Sequence, residues 1–189
     1  MSHPASIDLS AMWRETAAGP QAEASNHTIR NATADDAEKI SALICEVGVH
    51  GHEITAQVKW WINDCFSPEA IRTAIADGTH KYLVATGQDS EAGDEQVIGA
   101  VRLNVRSHYL GGLHTRNHTL GSELVTAAVD LSDELGIPQL TASFWRTDTR
   151  YAELMVEAGF RAAGRDNGYL NRIYTRERAD VEGAGAVKV

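Results

Sequence analysis

The 189-residue sequence has little of what marks several large protein classes. Its two cysteines, Cys45 and Cys65, have no C-x-x-C spacing, which argues against a disulfide framework or a zinc site and favours two buried thiols in helical or near-helical segments. Basic residues are outnumbered: 17 Lys and Arg stand against 26 Asp and Glu, a formal net charge of -9. Such a chain repels nucleic acid and anionic membranes, so neither is an expected partner, and it attracts cationic ligands. No apolar run approaches the ~18 residues that a membrane span needs. The N-terminus MSHPASIDLS lacks the basic and apolar regions of a secretory signal, so a cytoplasmic protein is expected. There is no internal repeat. What remains, 43% hydrophobic residues over this length, is material for one domain with a substantial core.

Residues 1–26 are rich in Ala, Ser, Glu and Gly with little periodicity and read as a flexible arm. The folded domain is expected over 27–176, with 177–189 as a flexible tail. Thr28 to Arg30 suggests a strand, and Thr33-Ala34-Asp35-Asp36 is a capping box before a helix whose apolar face carries Ile40, Leu43, Ile44 and Val47. Ile54 to Cys65, with Trp60 and Trp61, has mixed periodicity. Ser67-Pro68 starts a further helix, and Gly78 ends it. Lys81 to Thr86 and Val97 to Val105 form an expected antiparallel hairpin. Tyr109 to Thr115 is a shorter strand in which Gly111 and Gly112 suggest a bulge or a close backbone approach. An amphipathic helix follows from Ser122 to Leu135 through Leu124, Val125, Ala128, Leu131 and Leu135, ended by Gly136 and Pro138, then a strand at Leu140 to Trp145, a helix at Thr149 to Ala158 ended by Gly159, and two short β-type runs.

The segment Arg116-Asn117-His118-Thr119-Leu120-Gly121-Ser122-Glu123-Leu124 runs from a strand end into a helix. The first amides of a helix lack partners and its dipole favours negative charge there, so such a segment makes an anion cradle. Arg116 would pair with a bound phosphate, and Gly121 would let backbone and ligand come close.

The element order, with a phosphate-type loop before the third helix, resembles the GCN5-related N-acetyltransferase (GNAT) family over residues 27–176. Three places carry the resemblance. Ile29 to Asp36 is similar to the family's opening strand and helix. Arg116 to Gly121 resembles the acetyl-CoA signature Q/R-x-x-G-x-G/A. Asp148 to Phe160, ending Glu157-Ala158-Gly159-Phe160, resembles N-x-x-A-x-x-L-Y-x-x-x-G-F. There are departures. Thr119 stands at the first glycine of the signature, the stretch between Ile98 and Gly121 is several residues short, and Met155 falls where the family often has a tyrosine that protonates the departing thiolate, with Tyr151 one turn earlier.

The resemblance implies an α/β fold of the α+β type: a mixed, mostly antiparallel central sheet flanked by helices on both faces. It implies acetyl-CoA as acyl donor, no metal, and transfer of the acetyl group to a primary amine. Leu113, Thr115, Arg116, Asn117, His118, Thr119, Leu120, Gly121, Ser122 and Asp148 are the implied cofactor contacts. An amine attacks only when deprotonated, so a base is required. Glu53 in the His50-Gly51-His52-Glu53 loop is the first candidate, followed by His52 and His114, and Tyr151 is a candidate acid. Trp60 and Trp61 suggest an aromatic wall, and Glu46, Asp64 and Asp148 are acids that would hold a cationic acceptor. The expected acceptor is a small-molecule amine, specifically an amino sugar or aminoglycoside-type antibiotic in a detoxifying or resistance role. A protein α-amine or lysine acetyltransferase and a non-catalytic acyl-CoA-binding module stand as alternatives. A homodimer is expected at the level of the family only.

Overall fold

The computed structural model describes residues 27–47, 64–88, 95–115, 117–145, 149–166 and 171–178. The expected arm and nearly all of the expected tail lie outside the described residues.

Strand β1 (His27–Asn31) leads through a 3-10 turn (Ala34–Asp36) into α1 (Ala37–Val47); α2 (Pro68–Ala76) follows. Then come β2 (His80–Gln88), β3 (Glu95–Asn104), β4 (Tyr109–Thr115), α3 (His118–Glu134), β5 (Gln139–Trp145), α4 (Thr149–Glu157), β6 (Arg161–Asp166) and β7 (Asn171–Glu177). Among the described residues the strands form one sheet in the order β1-β2-β3-β4-β5-β7-β6. Every neighbouring pair is antiparallel except β4 with β5. This is the mixed, mostly antiparallel sheet expected. No helix among the described residues is long and apolar enough to cross a membrane.

Local chemistry sets the helix ends. The Ser67 hydroxyl accepts from the Ala70 amide at 3.2 Å and Pro68 opens α2, as its missing N–H permits. Helix α3 begins at His118, four residues before the start expected from its apolar face. Periodicity marks where a helix is buried, whereas its cap marks where it begins, and here the Asn117 side chain accepts from the Thr119 amide at 2.8 Å. In the stretch expected to be short, a four-residue turn, Val105 to His108, joins β3 to β4.

The sheet separates two cores. On one face α3 and α4 pack through Leu124, Val125, Leu154 and Met155 onto Val101, Leu103 and Leu140. On the other, Ile40 and Ile44 of α1, Ile71 of α2 and Phe66 pack onto Val84 and Ala100. Each fully buried Leu or Ile contributes about 1.5–3 kcal/mol. Alternation along β3 therefore sends Val101 and Leu103 to the α3 side and Ala100 and Arg102 to the α1 side. Cys45, expected to be buried, falls on the outer face of α1 and is exposed, while Cys65 is half-buried.

One ion pair fastens the start of the domain. Arg30 Nη1 and Nη2 donate to Asp36 Oδ2 and Oδ1 at 2.8 and 2.9 Å, and the Thr33 amide donates to Oδ2 at 2.7 Å. The Arg30 hydrogen bonds, aided by those from Thr33, bring the Asp36 carboxyl down to about 2. Stability from this pair is fully present above the ordinary carboxylate pKa of 3.8 and is lost as pH falls through about 2. Asp36→Asn is expected to lower unfolding free energy by about 2 kcal/mol at pH 7. Equal urea midpoints for variant and wild type would refute that reading.

Candidate active site

The site starts from an interrupted strand pair. Strands β4 and β5 register only at Tyr109 with Thr141 and Leu110 with Ala142, and then separate. The cause is in β4: directly after Leu110 comes the Gly111-Gly112 pair, where the β3–β4 register shifts between Ala100 and Arg102. Gly112 has φ of +60°, which a residue with a Cβ adopts only under strain. A Cβ on Gly111 would lie 2.5 Å from Cε1 of Tyr109, so the bulge seats that ring directly over the backbone. Beyond Leu110 the edge of β4 that faces β5 has no strand partner among the described residues. Into this split α4 brings Tyr151, whose hydroxyl donates to the Leu113 carbonyl at 2.8 Å.

At the end of β4 the chain turns into α3. The Thr115 hydroxyl donates to the Asn117 carbonyl, and the Asn117 amide donates back to it, each at 3.2 Å. Asn117 then caps Thr119, and the Gly121 amide bonds to the Asn117 carbonyl at 3.0 Å. Helix geometry leaves the amides of His118 and Leu120 without an intrahelical partner at the positive end of the dipole. Gly121 has a packing task that its place in the loop did not announce. A Cβ there would lie 3.2 Å from Leu154 Cδ1 and 3.3 Å from Thr115 Cγ2, so its bareness lets α3 close on β4 and α4.

Solved structures that this chain resembles include acetyltransferases. The PaiA N-acetyltransferase of Thermoplasma acidophilum, solved with coenzyme A, superposes with a TM-score of 0.66 at 16% identity over 81% of this chain and 99% of that one. The ribosomal-protein-S5-alanine acetyltransferase of Vibrio fischeri gives 0.60 at 15% identity, over 84% and 97%. The fold is the GNAT fold. A GNAT-family acetyltransferase of Staphylococcus aureus Mu50 is similar to the same degree, with a TM-score of 0.60 at 14% identity over 80% and 98%. No protein-family model and no curated protein matches the sequence, so the likeness is carried by structure.

Within the GNAT fold the expected site residues divide. Leu113, His114 and Thr115 share β4, with Tyr151 across the split and Asn117, His118 and Thr119 exposed at the tip of α3. The side chains of Leu113 and Leu120 are core, which leaves only their backbone available to a ligand, and Ser122 lies a full turn inside the helix. The Thr119 side chain is exposed. Met155 is 0% exposed in the α3 core, which makes that position packing. Glu46 near the end of α1 and Asp64 ahead of α2 are exposed. His52, Glu53, Trp60, Trp61, Arg116 and Asp148 lie outside the described residues.

His114 is set apart by its surroundings. Its ring stands edge-on to Phe66, centroids 5.8 Å apart at 78°, and its Nε2 is buried without a hydrogen-bond partner among the described residues. Desolvation first, and then the Arg102 charge, lower its pKa to about 4. The imidazole is therefore neutral at pH 7. Arg102 and Phe66 escaped the sequence reading. The signal for Arg102 was its alternation with Val101 and Leu103, which puts a charge on an inward face.

Proposed function

We propose that the protein is an acetyl-CoA-dependent N-acetyltransferase acting on the primary amine of a small molecule. The observation that carries this reading is the split between β4 and β5, with an open strand edge on one side, Tyr151 within it and the α3 tip at its end. These residues fit the donor. The amides of His118 and Leu120 suit its diphosphate, and the free edge of β4 suits the amides of its pantetheine arm. When bound, acetyl-CoA supplies the acyl thioester.

The chain's own residues supply the rest. His114 keeps a free lone pair throughout the neutral range and takes the proton that the amine nitrogen sheds as it attacks, when that nitrogen is far more acidic than a free ammonium. Tyr151 commits its proton to the Leu113 carbonyl and so braces the split. A thiolate is a weak enough base to depart without a strong acid. The test follows free-thiol release from acetyl-CoA with amino acids, amino sugars including aminoglycosides, polyamines and peptides. Turnover with a small amine is expected, together with a rise in Tm on adding acetyl-CoA. A rise in Tm with no turnover on any acceptor would replace the enzyme by an acyl-CoA-binding module.

A further inference from the structure

The α1 side of the sheet carries a charge that the acetyl transfer does not use. Arg102 of β3 stands opposite Tyr82 of β2, with its guanidinium carbon 4.9 Å from the centroid of the Phe66 ring. Its guanidinium hydrogen-bonds the Tyr82 hydroxyl, but among the described residues its buried Nε has no hydrogen-bond partner and no carboxylate forms an ion pair with it. The other buried side-chain nitrogen without a partner among the described residues is His114 Nε2, on β4 against the same Phe66. Gly112 lies between the two. A Cβ there would be 3.5 Å from Arg102 Cβ, 3.7 Å from Phe66 Cε1 and 3.8 Å from His114 Nε2, so the lack of a side chain keeps the bulged backbone clear where these three residues converge.

A buried guanidinium N–H without an acceptor is costly, and buried groups of this kind are rare unless a partner completes them. The natural partner of a guanidinium is a planar oxyanion held by two parallel hydrogen bonds. A carboxylate suits this place better than a phosphate because the neighbours, Phe66 and a neutral His114, offer no second positive charge. We infer, resting on the acetyltransferase reading above, that Arg102 binds the carboxylate of an amino-acid acceptor and thereby sets its amine against His114. The acceptor is then a zwitterion. An aminoglycoside or polyamine would bring more positive charge to Arg102, which opposes the preference that the chain's overall acidity suggests.

The experiment compares each standard L-amino acid with its primary carboxamide, in thiol release and, separately, in calorimetric binding to the full chain. Wild type is expected to prefer the acid of its best substrate over the carboxamide by about 100-fold in kcat/KM, the loss expected when one partner of a buried charged pair is removed. In Arg102→Met that ratio should collapse towards one, and Arg102→Lys should restore part of it. The Tm of Arg102→Met should fall only modestly, because the change gives up the Phe66 stacking and the Tyr82 hydrogen bond but also removes a buried N–H that has no acceptor. Equal use of acid and carboxamide by wild type, or binding of no amino acid at all, would overturn the assignment. So would a large drop in Tm for Arg102→Met, which would make Arg102 a structural brace. Amino-acid binding without thiol release would sink the acetyltransferase reading alone, whereas thiol release indifferent to the carboxylate would sink this one alone.

Discussion

Glutamine in place of His114 is expected to lower kcat about 100-fold, the lower end of what a positioned general base contributes. The substitution keeps a polar side chain of similar reach on β4 and removes only the ability to take a proton. The rise in Tm caused by acetyl-CoA should survive, because the residues that suit the donor are the α3 tip and the β5-facing edge of β4, whereas His114 points to the α1 side against Phe66. A split between lost turnover and kept donor binding is therefore the signature of a base. Unchanged kcat in His114→Gln would remove His114 from the chemistry. Loss of turnover and donor binding together would mean that the imidazole holds β4 in shape.

Much of the fold was legible because its signals are local. Ser67-Pro68, the Thr33–Asp36 box and the glycines at 78, 136 and 159 act through hydrogen bonds or backbone angles within a few residues, and each stands where a helix begins or ends. Apolar periodicity marked Leu124, Val125 and Ala128, which α3 buries, but also Leu135, which is exposed, and it misplaced the helix start, since the cap is made by one polar side chain that periodicity ignores. The place of β7 between β5 and β6 was not legible, because strand order depends on pairing between segments far apart in the chain.

The site was legible in part for the same reason. Gly111-Gly112 announced a disturbance of β4, and the structure shows its consequence, the parting of β4 from β5. The packing role of Gly121 was not legible, because a bare backbone near a phosphate and a bare backbone near Leu154 look alike in sequence. Arg102 and Phe66 were not singled out, since what makes them notable is an unpaired nitrogen and a ring contact, both products of packing between β3 and the chain ahead of α2.

Acid should unfold this protein earlier than its carboxylates alone would require. An unfolded chain protonates His114 near its ordinary pKa of 6.5, whereas the folded one holds the ring neutral down to about 4. The unfolded state therefore binds more protons across that interval, and stability falls as pH drops from about 6.5 to about 4, by about 3 kcal/mol at ~1.4 kcal/mol per unit. His80, also lowered by burial and by Arg102, adds to the same interval, while the Asp36 contribution is lost below it, towards pH 2. Urea titrations of wild type and His114→Gln at pH 7 and pH 4.5 isolate the His114 share: the variant should lose distinctly less stability between the two. The same pH dependence in both would show that the ring is hydrated and charges freely. Desolvation by the packing around Phe66 and the nearby Arg102 charge keep a lone pair ready at neutral pH and make the fold acid-labile, so the pH dependence of stability reads the state of the base without any substrate being present.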